Sequence, residues 1–184
     1  GDKANDVLRV DGSELRCKVF GEGGNLGMTQ LGRIEYCLSG GACNTDFIDN
    51  AAGVDCSDHE VNIKILLDGC VSNGDMTQKQ RNKQLEVMTD TVSGMVLSNN
   101  YKQTQAISLA EHQVATRVGE YRRFMNSMVE SGRLDRELEF LPEDDAIVER
   151  QQQGKSLTRP ELSVLISYAK VMLKDALNED ALTD

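Results

Sequence analysis

Two loops of this 184-residue chain set small residues and an asparagine at spacings that could hold a ligand. The first is Gly21-Glu22-Gly23-Gly24-Asn25-Leu26-Gly27. A glycine-rich turn between a strand and a helix can cradle an anion with backbone N–H groups. The dinucleotide fingerprint Gly-x-Gly-x-x-Gly fails in detail, because Leu26 stands where the third glycine belongs. The plainer alternative is a tight turn that needs positive φ. The second loop is Asp49-Asn50-Ala51-Ala52-Gly53-Val54-Asp55-Cys56-Ser57. Ser57 can cap a helix, and a helix N-terminus itself attracts a carboxylate, so the two roles are compatible. Asp55, Cys56, Ser57 and His59 include every member of a hydrolase triad, but neighbours in sequence do not face one another as a triad must. No two of His59, His112 and the cysteines share a helical i, i+4 face, which argues against a metal site.

The elements that must position these loops can be read from spacing. Leu15 to Phe20 alternate apolar and polar residues and stop at Gly21, which predicts a short strand. Thr29 caps a predicted helix to Ser39, ended by Gly40-Gly41. Ala42 to Ile48 reads as a second strand, interrupted by Asn44 and Asp46. Strand, helix, strand makes a βαβ unit with parallel strands. Each loop then lies at the end of a parallel strand, the edge where open α/β sheets bind cofactors.

Ser57-Asp58-His59-Glu60 is a capping box for a helix with a face of Val61, Ile65, Leu66 and Cys70, stopped by Asn73-Gly74. From Thr77, with Gln80 as a second capping box, helical spacing runs through Leu85, Met88, Val92 and Val96. It continues through Val114, Val118, Tyr121, Met125 and Met128 to Gly132. Pro142 with Glu143, Asp144 and Asp145 opens another helix, ended by Gly154. Thr158-Arg159-Pro160-Glu161 opens the last, striped by Leu162, Leu165, Ile166, Ala169, Met172, Leu173 and Leu177. The expected fold class is α/β, mostly helical: a partial Rossmann-like βαβ remnant in residues 1–74, then an all-helical region in 75–184. Two strands make no stable sheet alone, so such a remnant needs a partner or a helical cover.

The formal charge of −10 argues against a nucleic-acid surface. No run approaches the roughly 18 apolar residues of a membrane span, and no secretory signal is seen. Five cysteines at irregular spacing suggest free thiols in a reducing cytoplasm rather than a disulfide framework. The opening Gly-Asp-Lys-Ala-Asn-Asp lacks a Met and reads as a cut inside a longer protein.

Glu22-Gly23-Gly24-Asn25 and Asn50-Ala51-Ala52-Gly53-Val54-Asp55-Cys56-Ser57 resemble two loops of glutamate dehydrogenases. The family motifs are Glu-Gly-Ala-Asn and Asn-Ala-Gly-Gly-Val-x-x-Ser, from which Gly24 and Ala52 depart. Gly1 to Asp6, Ser57 to Lys64, Asn99 to Ala106, Leu141-Pro142 and Leu157 to Leu162 look like the large bacterial NAD-specific class.

The resemblance implies an enzyme that oxidatively deaminates L-glutamate to 2-oxoglutarate and ammonium with NAD as cofactor. It implies cofactor contacts at Glu22, Gly23, Gly24, Asn25 and Asn50, with Asn25 and Asn50 near the nicotinamide ribose. The Asn25 amide, both donor and acceptor, suits a ribose hydroxyl or a carboxamide. Val54 and Ser57 would line the amino-acid pocket, the Ser57 hydroxyl reaching the substrate carboxylate. Residues 1–74 would be the C-terminal part of the NAD-binding domain of a homo-oligomeric parent. The catalytic Lys and Asp and the pyrophosphate loop lie upstream in such enzymes, so no catalytic residue is expected here and the fragment alone should be inactive. A helical interaction or regulatory module without catalysis is the rival expectation. Convergence of Asn25, Asn50 and Ser57 on one cleft would separate the two.

Overall fold

The computed structural model describes residues 6–181; the Gly1–Asn5 part of the opening motif lies outside them. Two short 3-10 turns, Asp6–Leu8 and Gly12–Glu14, precede six α-helices. These are α1 (Gln30–Leu38), α2 (Asp46–Asp49), α3 (Ala51–Ser72), α4 (Gln78–Glu130), α5 (Asp144–Gln152) and α6 (Arg159–Ala181). The chain forms two compact units: Gly1–Asp46 with Ala106–Asp184, and Phe47–Gln105.

The fold is mostly helical, and no strand forms among the described residues. The expected parallel pair is reduced to one parallel bridge between Val19 and Ala42. Ala42 N–H donates to Lys18 O at 3.0 Å and Phe20 N–H to Ala42 O at 2.9 Å. The second predicted strand stops there, because Asp46 begins α2. Asn44 and Asp46, read as interruptions, are committed to side-chain bonds: Asn44 accepts from Arg159, and Asp46 accepts from Leu26 N–H.

Helix ends follow local chemistry. Thr29 Oγ1 accepts from Gly32 N–H at 3.1 Å and caps α1. Thr77 and Gln80 exchange bonds at the start of α4: Thr77 N–H donates to Gln80 Oε1 at 2.9 Å, and Gln80 N–H to Thr77 Oγ1 at 3.3 Å. Gly40, Gly74, Gly132 and Gly154 take positive φ after their helices. At all four ends the residue after the glycine closes the turn with a backbone bond, as Gly41 N–H does to Tyr36 O and Arg133 N–H to Met128 O. Gly41 is required for space as well, since a Cβ there would lie 2.2 Å from the Tyr36 ring.

The first unit has its core between the C-terminal part of α4 and helices α5 and α6. Val114, Val118, Met125 and Met128 meet Ile147, Leu157, Leu162 and Leu165. α1 packs on the Gly12–Glu14 turn and on α6. Arg159 of α6 donates to Asn44 Oδ1 at 3.1 and 3.0 Å, to Ser108 Oγ at 3.0 Å and to Glu111 at 2.6 Å. Glu161 is wholly buried and accepts two bonds from Arg150 and two from Thr158, so its charge is matched on every side. The predicted α6 stripe is buried only in its first turns: Leu162 and Leu165 are inside, whereas Leu173 and Leu177 are exposed.

In the second unit α3 lies against the first half of α4. The predicted α3 face is corrected: Val61, Ile65 and Leu66 are exposed, while Leu67 is buried and Ile63 half-buried. α3 is apolar on more than one side, so its composition does not select the buried face; the opposing Leu85, Met88, Val92 and Val96 of α4 do. Asn99 Nδ2 donates to Asp55 Oδ2 at 3.0 Å and joins the two helices.

Candidate functional site

The loop after the bridge is built around one inward carboxylate. Glu22 is 6% exposed. Its Oε1 accepts from the amides of Gly27 and Met28, and its Oε2 accepts from Arg33 Nε at 3.0 Å and Nη2 at 2.7 Å. Arg33 also lies 3.4 Å from Asp46 Oδ1, while Asp46 Oδ2 accepts from Leu26 N–H at 3.3 Å. Gln30 Oε1 accepts from Arg33 Nη1 at 3.3 Å. The buried Glu22 and Arg33 charges thus balance locally, and the carboxylate draws the loop of residues 22–28 around itself.

With Glu22 turned inward, Gly23, Gly24 and Asn25 form the exposed rim. A Cβ at Gly23 or Gly24 would meet nothing within 4 Å, so a flat group could approach this backbone closely. Leu26, at the position of the missing fingerprint glycine, has φ +64 and an exposed side chain. The chain takes the left-handed turn there without the residue that favours it.

The second loop is helix rather than a strand-end turn. Asn50 is the N-cap of α3, with φ −98 and ψ 6, although its side chain does not make the capping bond. The predicted capping box at Ser57 is corrected. Ser57 lies two turns inside α3, and its Oγ donates to Gly53 O at 3.0 Å. The reason is local: Ala51-Ala52 favours helix, and one glycine in the first turns is tolerated. Asn50, Val54 and Ser57 are spaced i, i+4, i+7 and share one helix face. Val54 and Ser57 are exposed, and Asn50 is half-buried. His59 Nε2 is 3.5 Å from Asp55 Oδ1, on another side of the helix from Ser57.

The structure therefore gathers the predicted residues into two groups. Glu22, Gly23, Gly24 and Asn25 form one loop of the first unit, and Asn50, Val54 and Ser57 form one face in the second. Sequence reasoning missed Arg33 and Asp46. Their signal was present, as a cation in an otherwise apolar helix face and an acid inside a predicted strand.

Comparison with known proteins adds a family context. The profile described as bacterial NAD-glutamate dehydrogenase, catalytic domain, matches residues 1–110. That described as glutamate dehydrogenase, C-terminal, matches residues 154–184. The chain is 64% identical over 184 residues to an NAD-specific glutamate dehydrogenase of Pseudomonas aeruginosa, covering all of this chain and 11% of that protein. It is 61% identical over 177 residues to one from Halomonas elongata, covering 96% of this chain and 11% of that protein. It is 45% identical over its full length to one from Mycobacterium tuberculosis, again 11% of that protein. The chain thus spans about 11% of the length of these curated relatives.

Proposed function

The chain belongs to the bacterial NAD-glutamate dehydrogenase catalytic-domain family, and on that premise we propose that it is a segment of an NAD-specific glutamate dehydrogenase carrying the nicotinamide-side loops. The proposed reaction is oxidation of L-glutamate to 2-oxoglutarate and ammonium, in a homo-oligomeric cytoplasmic enzyme. NAD, when bound, supplies the hydride acceptor. The observation that carries the reading is the exposed Gly23-Gly24-Asn25 rim held by a buried Glu22–Arg33 pair.

Open space above Gly23 and Gly24 suits a ribose or a carboxamide, and the Asn25 amide can bond either. We assign Gly23, Gly24, Asn25 and Asn50 to the cofactor. Glu22 is assigned to the same loop, its backbone on the cofactor side and its buried side chain bracing the loop from behind. Val54 and Ser57 are assigned to the substrate, on the face of α3 they share with Asn50. Residues 1–74 are proposed as the end of a Rossmann-like domain, the Val19–Ala42 bridge being its parallel pair, and 75–184 as the helical C-terminal region.

Kinetics of the full-length enzyme carrying this segment test the assignment. Asn25→Ala should raise KM for NAD about tenfold, the worth of one hydrogen bond, and leave KM for glutamate unchanged. Ser57→Ala should do the reverse. Equal effects on both substrates would overturn it. The 184-residue chain alone should show no NAD-dependent glutamate oxidation, because the catalytic Lys and Asp expected of the family are not assigned to it; measurable turnover would refute this.

A second reading is favoured by one observation. Val54, Val61 and Ile65 on α3, and Val171, Leu173 and Leu177 on α6, are exposed apolar residues. Surfaces of this kind serve as interfaces, which suits a helical interaction module.

A further inference from the structure

Cys37 lies in the last turn of α1, and Cys43 follows the bridge residue Ala42. The turn through Gly40 and Gly41 folds one thiol back onto the other, and the sulfurs are 3.6 Å apart. A disulfide requires about 2 Å, so closure asks for a shift of roughly 1.5 Å. Gly40, at φ +96 with open space around it, lies between the two cysteines, where the turn can absorb that movement. Cys43 is 5% exposed and Cys37 is half-buried, so Cys37 is the sulfur a dissolved reagent reaches. We propose that Cys37 and Cys43 form a reversible disulfide site, in which a hydroperoxide oxidises Cys37 and Cys43 resolves the product.

The chemistry balances as two thiols plus one hydroperoxide giving one disulfide, one water and the reduced oxidant, which is a second water for hydrogen peroxide. The Cys37 thiolate attacks the distal peroxide oxygen, the O–O bond breaks, and Cys37 becomes a sulfenic acid. The Cys43 sulfur then attacks Cys37 Sγ, the S–O bond breaks, and water leaves with the Cys43 proton.

The environment supports this order. The Cys37 thiol is held below its ordinary pKa, chiefly by the hydrogen bond from Cys43, with the Arg159 guanidinium adding to it. Burial and the Glu111 carboxylate oppose the shift, as does the C-terminal end of the α1 dipole. The remaining thiols are placed differently. Cys17 lies 3.6 Å from the Tyr36 hydroxyl. Cys56 and Cys70 are both on α3, about four turns apart, and cannot meet. The pair also adjoins Asn44, the acceptor for Arg159 of α6, so its closure acts on the segment that fastens to that helix.

Peptide mapping of the folded chain tests the site. The chain is treated with stoichiometric hydrogen peroxide, unfolded, alkylated, and cut with chymotrypsin, which cleaves between the two cysteines at Leu38. The expected product is a cross-linked Cys37–Cys43 peptide pair, reversed by dithiothreitol, with Cys17, Cys56 and Cys70 alkylated. Cys43→Ser should leave Cys37 as a sulfenic acid that dimedone traps, and Cys37→Ser should leave Cys43 alkylated. The wild-type map stands alone if either variant misfolds. Recovery of Cys37 and Cys43 as free thiols while other cysteines are oxidised, or cross-links between other pairs, would overturn the proposal.

Discussion

Arg33 directs two nitrogens, Nε and Nη2, at a single oxygen of Glu22, which leaves the second oxygen to the amides of Gly27 and Met28. One carboxylate thus joins helix α1 to the loop before it. The division of labour matters, because Arg33 neutralises the charge while the amides set the loop's shape. Both side chains are 6% exposed, so neither charge is relieved by water.

Removing either partner should therefore be costly. Arg33→Met strands a buried carboxylate and should lower stability by about 3–5 kcal/mol. Glu22→Leu with Arg33→Met should recover most of that loss, since a buried pair exchanged for apolar groups is often nearly neutral. Urea denaturation of the single and double variants measures the coupling directly. Additive losses would mean that the two groups do not depend on one another.

Thr29 and Ser57 are a matched contrast. Thr29 makes the capping bond of α1, and Thr29→Ala should cost about 1 kcal/mol. Ser57 sits inside α3 and bonds backward to Gly53 O, so Ser57→Ala should be neutral or slightly stabilising. Thermal melts of both variants decide this. A loss of similar size at Ser57 would restore it as a cap.

Leu26 holds a left-handed backbone at φ +64 while 84% exposed. The conformation costs a branched side chain roughly 1 kcal/mol, and asparagine tolerates it better. Leu26→Asn should raise stability by about 0.5–1 kcal/mol in urea titration. A decrease would show that the leucine side chain contributes packing that outweighs the backbone strain.

Asp144 gives a pH signature. The hydrogen bond from Arg122 at 2.6 Å, seconded by Arg136, holds its carboxyl below the ordinary carboxylate range against the opposing effect of burial. A depressed folded pKa contributes stability above the unfolded value, near 4, and loses it as pH falls through the lower folded one. Asp144→Asn should therefore cost most at neutral pH and converge with the parent in acid. Tm measured from neutral to acid pH tests the convergence; a constant gap would place the effect elsewhere.

Helix ends were legible because their causes are local. Thr29, the Thr77–Gln80 pair and the glycines at 40, 74, 132 and 154 act within a few residues of themselves. The strands were less so. Extended pairing depends on neighbours in space, and the alternation from Leu15 to Phe20 carried no information about how few of them are present. Asn44 and Asp46 are long-range acceptors, and a pattern reading registers such residues only as noise in a strand. The buried face of α3 depended on α4, whose identity as the partner is not a property of α3. At the candidate site the rim of Gly23, Gly24 and Asn25 could be read as a loop. The inward turn of Glu22 could not, because it is set by Arg33 eleven residues later.

The Val19–Ala42 bridge is a ladder of one rung, with Lys18 O and Phe20 N–H straddling Ala42. One rung already fixes register and polarity: the two segments run in the same direction, with Val19 opposite Ala42. The flank beyond Ala42 is taken, since Gly41 N–H donates to Tyr36 O and Cys43 O accepts from Cys37 Sγ, whereas Val19 on the opposite side is exposed and presents the edge along which another strand could pair. The bridge is thereby a template, and any strand laid along it would inherit its alignment from this one pair.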